Sequence, residues 1–218
     1  LDPGAKEAGR APVRLTIAAE QPGQLAATPE QVAIHAALVT QADKLFGTRP
    51  FRHYDFLLAV GDSLGENGLE HWQSSENVVP ANYFTEWAKS APGRDLLAHE
   101  YAHVWNGKWR RPAELLAPHF NTPVRNGLLW VYEGETEFWG HVLAARSGLL
   151  NPAEARDNLA LTAAWLQARA GRRWRNLQDT THEPILAGGR WQRDWRSWQR
   201  SGDYYDEAVT APAINGEI

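Results

Sequence analysis

An α+β chain is what this 218-residue sequence predicts, with a strand-rich lobe over residues 1–90 and a helical lobe over 91–218. Three observations carry that prediction. Strand-like apolar patterns occur only in the first lobe, at Val13-Leu15-Ile17, Tyr54 to Val60 and Asn77 to Val79. From Pro92 onward the apolar residues recur at helical spacing, punctuated by Gly stops. No repeat or low-complexity linker separates the halves, so they form one domain, with a cleft expected between them.

The opening residues, Leu1 to Arg10, are rich in Gly and Ala and read as a loose lead-in. Val13, Leu15 and Ile17 alternate with polar residues, the pattern of a half-buried strand. Thr28-Pro29-Glu30-Gln31 supplies an N-cap, a proline at the first helical position and a capping-box partner. Ile34, Leu38, Ala42 and Leu45 follow on one helical face, and Gly47 is the stop. Tyr54 to Val60 is apolar enough to be a central strand. Gly61 to Gly68 reads as a loop, and Asn77-Val78-Val79 before Pro80 as a short edge strand.

Three helices are predicted in the second lobe: Arg94 to Trp105, Leu128 to Arg146, and one capped by Asn151 that runs to about Ala170. Trp191, Trp195 and Trp198 extend the helical pattern, with Arg193, Arg196 and Arg200 around them.

Composition narrows the function. Hydrophobic residues make up 43% and charged residues 22%, which is ordinary globular usage. No apolar run reaches the roughly 18 residues that span a bilayer. A net charge of −4 argues against general nucleic-acid binding through phosphates. The chain has no cysteine, so any metal must sit on histidines and carboxylates. It also has no methionine and no signal peptide, and it opens at Leu1, which reads as a processed or excised piece.

His99-Glu100-Tyr101-Ala102-His103 is the motif that carries chemistry. Residues four apart stand one above the other on a helix, so both imidazoles reach a single ion. Glu100 lies about 100° round the helix from His99, near the ion and free to act as general base. Eight histidines and sixteen glutamates in this length give about 0.02 chance matches to the pattern. A zinc hydrolase site needs a third protein ligand and one open position. The next predicted helix offers Glu133, Glu135 and Glu137. Glu133 follows the apolar run Leu128 to Tyr132, where an unpaired carboxylate is costly. If Glu133 binds the ion, Glu137 one turn later is placed to accept the distal N–H of His99. Glu135 points away and reads as solvated.

Three stretches together resemble the glycyl aminopeptidase family of zinc peptidases, relatives of thermolysin and aminopeptidase N. They are Gly68-Leu69-Glu70-His71, His99 through Lys108, and Leu129 through Thr136. The similarity runs from about Pro12 to Glu207. It implies a thermolysin-like catalytic domain with His99, His103 and Glu133 on Zn2+ and Glu100 as the base that activates water. It also implies that Gly68-Leu69-Glu70-His71 is a substrate-amine loop. Glu70 would capture the free amino terminus of a peptide by charge-assisted hydrogen bonds, with His71 beside it. Tyr205, in Tyr204-Tyr205-Asp206-Glu207, resembles the segment that supplies a transition-state donor; His71 is the other candidate for that role. The family glycine expected after this segment is absent, and Thr210 to Gly216 cannot continue a helix. The amino-terminal β-domain and carboxy-terminal PDZ domain usual in such proteins find no room in this length.

The resemblance further implies an activity: removal of a small amino-terminal residue, Gly or Ala, from peptides. Three other readings stay open. One is a scaffold that binds peptides without cutting them, and another is a thermolysin-type endopeptidase. The third is a nucleic-acid or anionic-polymer binding module built on the Trp- and Arg-rich stretch from Arg172 to Arg200.

Overall fold

Four short strands form the one sheet found among the described residues. The computed structural model describes residues 1–2, 5, 8–65, 67–167 and 176–181. Strand β1 (Val13–Ala19) pairs in parallel with β2 (Tyr54–Val60), Val13 standing opposite Tyr54. Helix α1 (Pro29–Phe46) carries the connection between them, as a parallel pair requires. Its start follows the sequence: Thr28 Oγ1 accepts from the Gln31 amide while Gln31 Oε1 accepts from the Thr28 amide. Gly47 ends it with φ of 71°, a left-handed conformation that glycine adopts without steric cost.

Strand β4 (Ser74–Val79) adds in parallel to β2, and β3 (Asn67–Glu70) pairs antiparallel with β4. The order is β1-β2-β4-β3. The expected edge at Asn77 to Val79 is therefore interior, and the edge strand is β3. Asn67-Gly68-Leu69-Glu70 has little intrinsic strand preference, and its pairing with β4 makes it a strand.

The chain divides into two compact units, Leu1–Trp109 with Trp139–Ala155, and Arg110–Phe138 with Arg156–Ile218. In the first unit, alternate residues Tyr54, Phe56, Leu58 and Val60 of β2 are buried. They share a core with Leu38, Val39 and Ala42 of α1, with Leu97, Ala98, Tyr101 and Ala102, and with Leu143, Leu149 and Leu150. An aromatic column runs through it: the Tyr101 ring lies 4.8 Å from Tyr54, 5.1 Å from Phe56 and 5.1 Å from Trp105. Trp105 stacks on Phe46 and donates its indole N–H to the Thr48 carbonyl at 2.8 Å.

The helix expected over Arg94 to Trp105 is shorter, α2 (Leu96–Ala102), with Asp95 at its N-cap position. Arg94 is instead a buried anchor, its guanidinium 4.4 Å over the Trp87 ring and 2.5 Å from Glu154. The helix ends before the expected Asn106-Gly107 stop, with His103 at its C-cap, and Gly107 turns the following segment at φ of 137°. The long helix expected over Leu128 to Arg146 is two pieces: a π-helical turn (Trp130–Glu135) and α3 (Thr136–Ser147). Asn151 caps α4 (Pro152–Gln167), its Oδ1 accepting from the Ala153 and Glu154 amides at 2.9 and 3.0 Å.

In the second unit Tyr132 and Leu166 are buried. Trp130 there donates to Gln178 Oε1 of α5 (Leu177–Thr180) at 3.0 Å. Among the described residues no helix is long and apolar enough to cross a membrane. The Trp191 to Trp198 stripe and Tyr205 lie outside the described residues.

Candidate metal centre

Helix α2 has two faces with different work. Leu97, Ala98, Tyr101 and Ala102 are buried in the core. His99 and His103 share the other side, four residues apart, and their Nε2 atoms are 3.1 Å apart. Two nitrogens on a tetrahedral zinc with bonds of 2.0–2.1 Å sit roughly 3.3 Å from each other, so the pair fits such an ion. The His103 Nδ1–H donates to the Asn106 carbonyl at 3.1 Å. That bond fixes the tautomer and leaves the Nε2 lone pair aimed at the shared point. His103 is 1% exposed.

The edge strand supplies the next groups. Alternation places Gly68 and Glu70 on the face of the sheet that meets α2, opposite Asn77 and Ser75. Glu100 is buried, and its carboxylate lies against Gly68 in the space a β-carbon would fill. Glu70, Glu100 and His103 each offer a polar atom within 4.8 Å of the others. Residues quoted separately from the sequence thus converge across 30 positions of chain. Tyr54 donates its hydroxyl to the Glu100 carbonyl at 3.3 Å. Burial holds that phenol protonated far above its ordinary range, and the Glu100 and Glu70 charges add to the effect.

Glu70, Glu100 and His103 could themselves form a donor set, but the carboxylate of Glu70 already accepts from the Lys108 ammonium at 3.0 Å. Two oxygens and one nitrogen also suit zinc less well than paired imidazoles. The histidine pair is therefore the better candidate metal grip, and Glu70 holds the Lys108 ammonium.

The other expected residues stand on other elements. His71 follows β3 with the opposite side-chain parity to Glu70, and its Nε2 lies 3.6 Å from Glu76 Oε1. It is turned away from the Glu70 group. Glu133 belongs to the second unit, on the π-helical turn between buried Tyr132 and Gly134, and Thr136 Oγ1 donates to the Tyr132 carbonyl at 2.6 Å. Glu137 stands in the first turn of α3.

Three contributors carry no individual role in the sequence reading. Gly68 makes room for Glu100, Lys108 engages Glu70, and Asp95 pairs with His141 at 3.0 Å while its carbonyl accepts from the His99 amide. Position relative to the motif was the available signal: Asp95 is one turn before His99, and Lys108 five residues after His103.

The family model for the M61 glycyl aminopeptidases matches residues 93–210. Among curated proteins there is no match. A solved structure described as an aminopeptidase N family protein from Idiomarina loihiensis superposes with a TM-score of 0.74 at 21% identity. The similarity covers 92% of this chain and 34% of that one, so the chain spans about a third of that protein's length. The shared feature is the fold, a small mixed sheet with helices.

Proposed function

The chain belongs to the M61 glycyl aminopeptidase family, and from that premise we propose that it is a zinc-dependent aminopeptidase acting on peptides with a small first residue, Gly or Ala. The observation that carries this reading is the 3.1 Å approach of the His99 and His103 Nε2 atoms beside a buried Glu100. His99, His103 and Glu133 are the ligand set we assign, in a thermolysin-like catalytic domain. A zinc ion held by these residues would supply Lewis-acid chemistry for the scissile carbonyl and for water.

The chain's own residues do the rest in this reading. Glu100 takes the proton of the attacking water and returns it to the departing amine. Glu70 receives the α-ammonium of the substrate, so the first peptide bond is the one presented. Its bond to the Lys108 ammonium supports this, because it is the same class of contact that a substrate amine would make. Glu137 orients His99 through the distal N–H. Tyr205 donates to the developing oxyanion, a role the outward-turned His71 leaves to it.

The test is metal analysis of the purified chain together with cleavage of glycine and alanine anilides. Activity should vanish with a chelator, return with zinc, and fall to background when the substrate amine is acetylated. Equal cleavage of acetylated and free substrates would make the protein an endopeptidase. Zinc binding without turnover on any of them would make it a peptide-binding scaffold.

A further inference from the structure

We infer that Lys108 is a positioning residue for Glu70 and sets the offset between the amine receiver and the metal-gripping helix. The inference rests on the aminopeptidase reading and concerns how that activity recognises a free amino terminus.

Glu70 sits on β3, a four-residue strand at the edge of the sheet, hydrogen-bonded on one side to β4. An edge strand of that length does not by itself hold a carboxylate to within a fraction of an ångström. Lys108 adds a constraint from a different element. Its ammonium donates to Glu70 Oε1 at 3.0 Å across 38 residues of sequence. The two side chains are only 13% and 17% exposed, so water competes weakly for the pair.

Lys108 is in turn tied to the metal-gripping helix. Its amide donates to the His103 carbonyl at 2.9 Å, and the Trp109 amide donates to the Val104 carbonyl at 3.0 Å. Gly107 makes this closure with φ of 137°, a region other residues rarely enter. The His103 Nδ1–H also donates to the Asn106 carbonyl. One tight turn therefore carries both the tautomer lock of a metal-binding imidazole and the clamp on the amine receiver. The path from His103 backbone to Lys108 ammonium to Glu70 carboxylate is a ruler between the scissile position and the substrate amine.

The experiment compares wild type with K108M, K108Q and K108R, each with zinc and after chelator stripping. Calorimetry gives the affinities for alaninamide and N-acetyl-alaninamide, and alanine anilide gives KM and kcat. Wild type should prefer the free amine. In K108M and K108Q that preference should fall about tenfold, the loss expected for a charge-assisted contact made in the wrong place. KM should rise by a similar factor while kcat falls much less and zinc content holds. K108R should recover most of the preference. If K108M or K108Q keeps the wild-type preference, the ruler is overturned while the aminopeptidase reading stands. If K108M fails to fold, K108Q and K108R decide the matter alone. A wild type that does not distinguish the two amides would overturn both.

Discussion

The carboxylate of Glu100 occupies the volume that a side chain on Gly68 would need. A β-carbon at position 68 would overlap Glu100 Oε1 and come within 2.7 Å of Leu96 Cδ1. The glycine is thus a condition for seating the proposed general base, and the constraint is spatial, since residue 68 is ordinary strand backbone. Because the two belong to different elements, β3 and α2, the contact also fixes how closely the edge strand approaches the helix.

Gly68→Ala should therefore damage catalysis more than binding of metal. The carboxylate can swing aside, but a displacement near 1 Å of a proton-transferring group costs about 10²-fold in rate. Steady-state kinetics with parallel zinc analysis checks this. Wild-type kcat in the alanine variant would mean that Glu100 acts from another position.

Glu100→Gln preserves the shape and removes the base. Turnover should fall by about 10² to 10⁴, the range that general acid–base groups contribute. Zinc content should be unchanged, because the imidazole pair of His99 and His103 is intact. Activity at wild-type level would end the assignment of Glu100 as base.

Much of this centre was legible in the sequence because it is local. The His99–His103 spacing, the Thr28 capping box and the Asn151 cap each depend on residues within one turn, and the structure uses all three. Long-range pairing was less legible. Asn67 to Glu70 is polar and glycine-bearing, so nothing local marks it as a strand; partnership with β4 decides it. The same partnership moves Asn77 to Val79 from edge to interior. The π-turn at Trp130–Glu135 was hidden because apolar periodicity over a six-residue stretch cannot separate 3.6 from a wider repeat. Lys108 has no local sign of a role, since its partner lies 38 residues away.

Thr28→Ala tests a local feature against stability alone. The hydroxyl satisfies the Gln31 amide, and the reciprocal Gln31 side chain satisfies the Thr28 amide. Loss of such a cap costs about 1 kcal/mol. Chemical denaturation should show that loss without a change in the denaturant slope, and KM should not move, since α1 contributes no group to the metal centre.

His35 gives the fold a pH dependence separable from catalysis. Its ring is 1% exposed, with Nδ1 2.6 Å from the Gln31 carbonyl and Nε2 3.0 Å from the Tyr83 hydroxyl. Phe84 and Trp87 close the remaining sides at about 6 Å, and no charged group faces the ring among these contacts. Burial lowers its pKa below the ordinary 6.5, and the Gln31 carbonyl only partly offsets this. The unfolded chain therefore takes up a proton at a pH where the folded chain does not. Stability from this group is complete above about pH 6.5 and is lost as pH falls from there through the depressed folded value. Melting temperature measured from pH 7.5 to pH 5 should drop more steeply in wild type than in His35→Gln, which keeps a polar side chain but has no proton to gain. Parallel slopes in the two proteins would show that His35 titrates alike in both states, and would refute the neutral, buried ring.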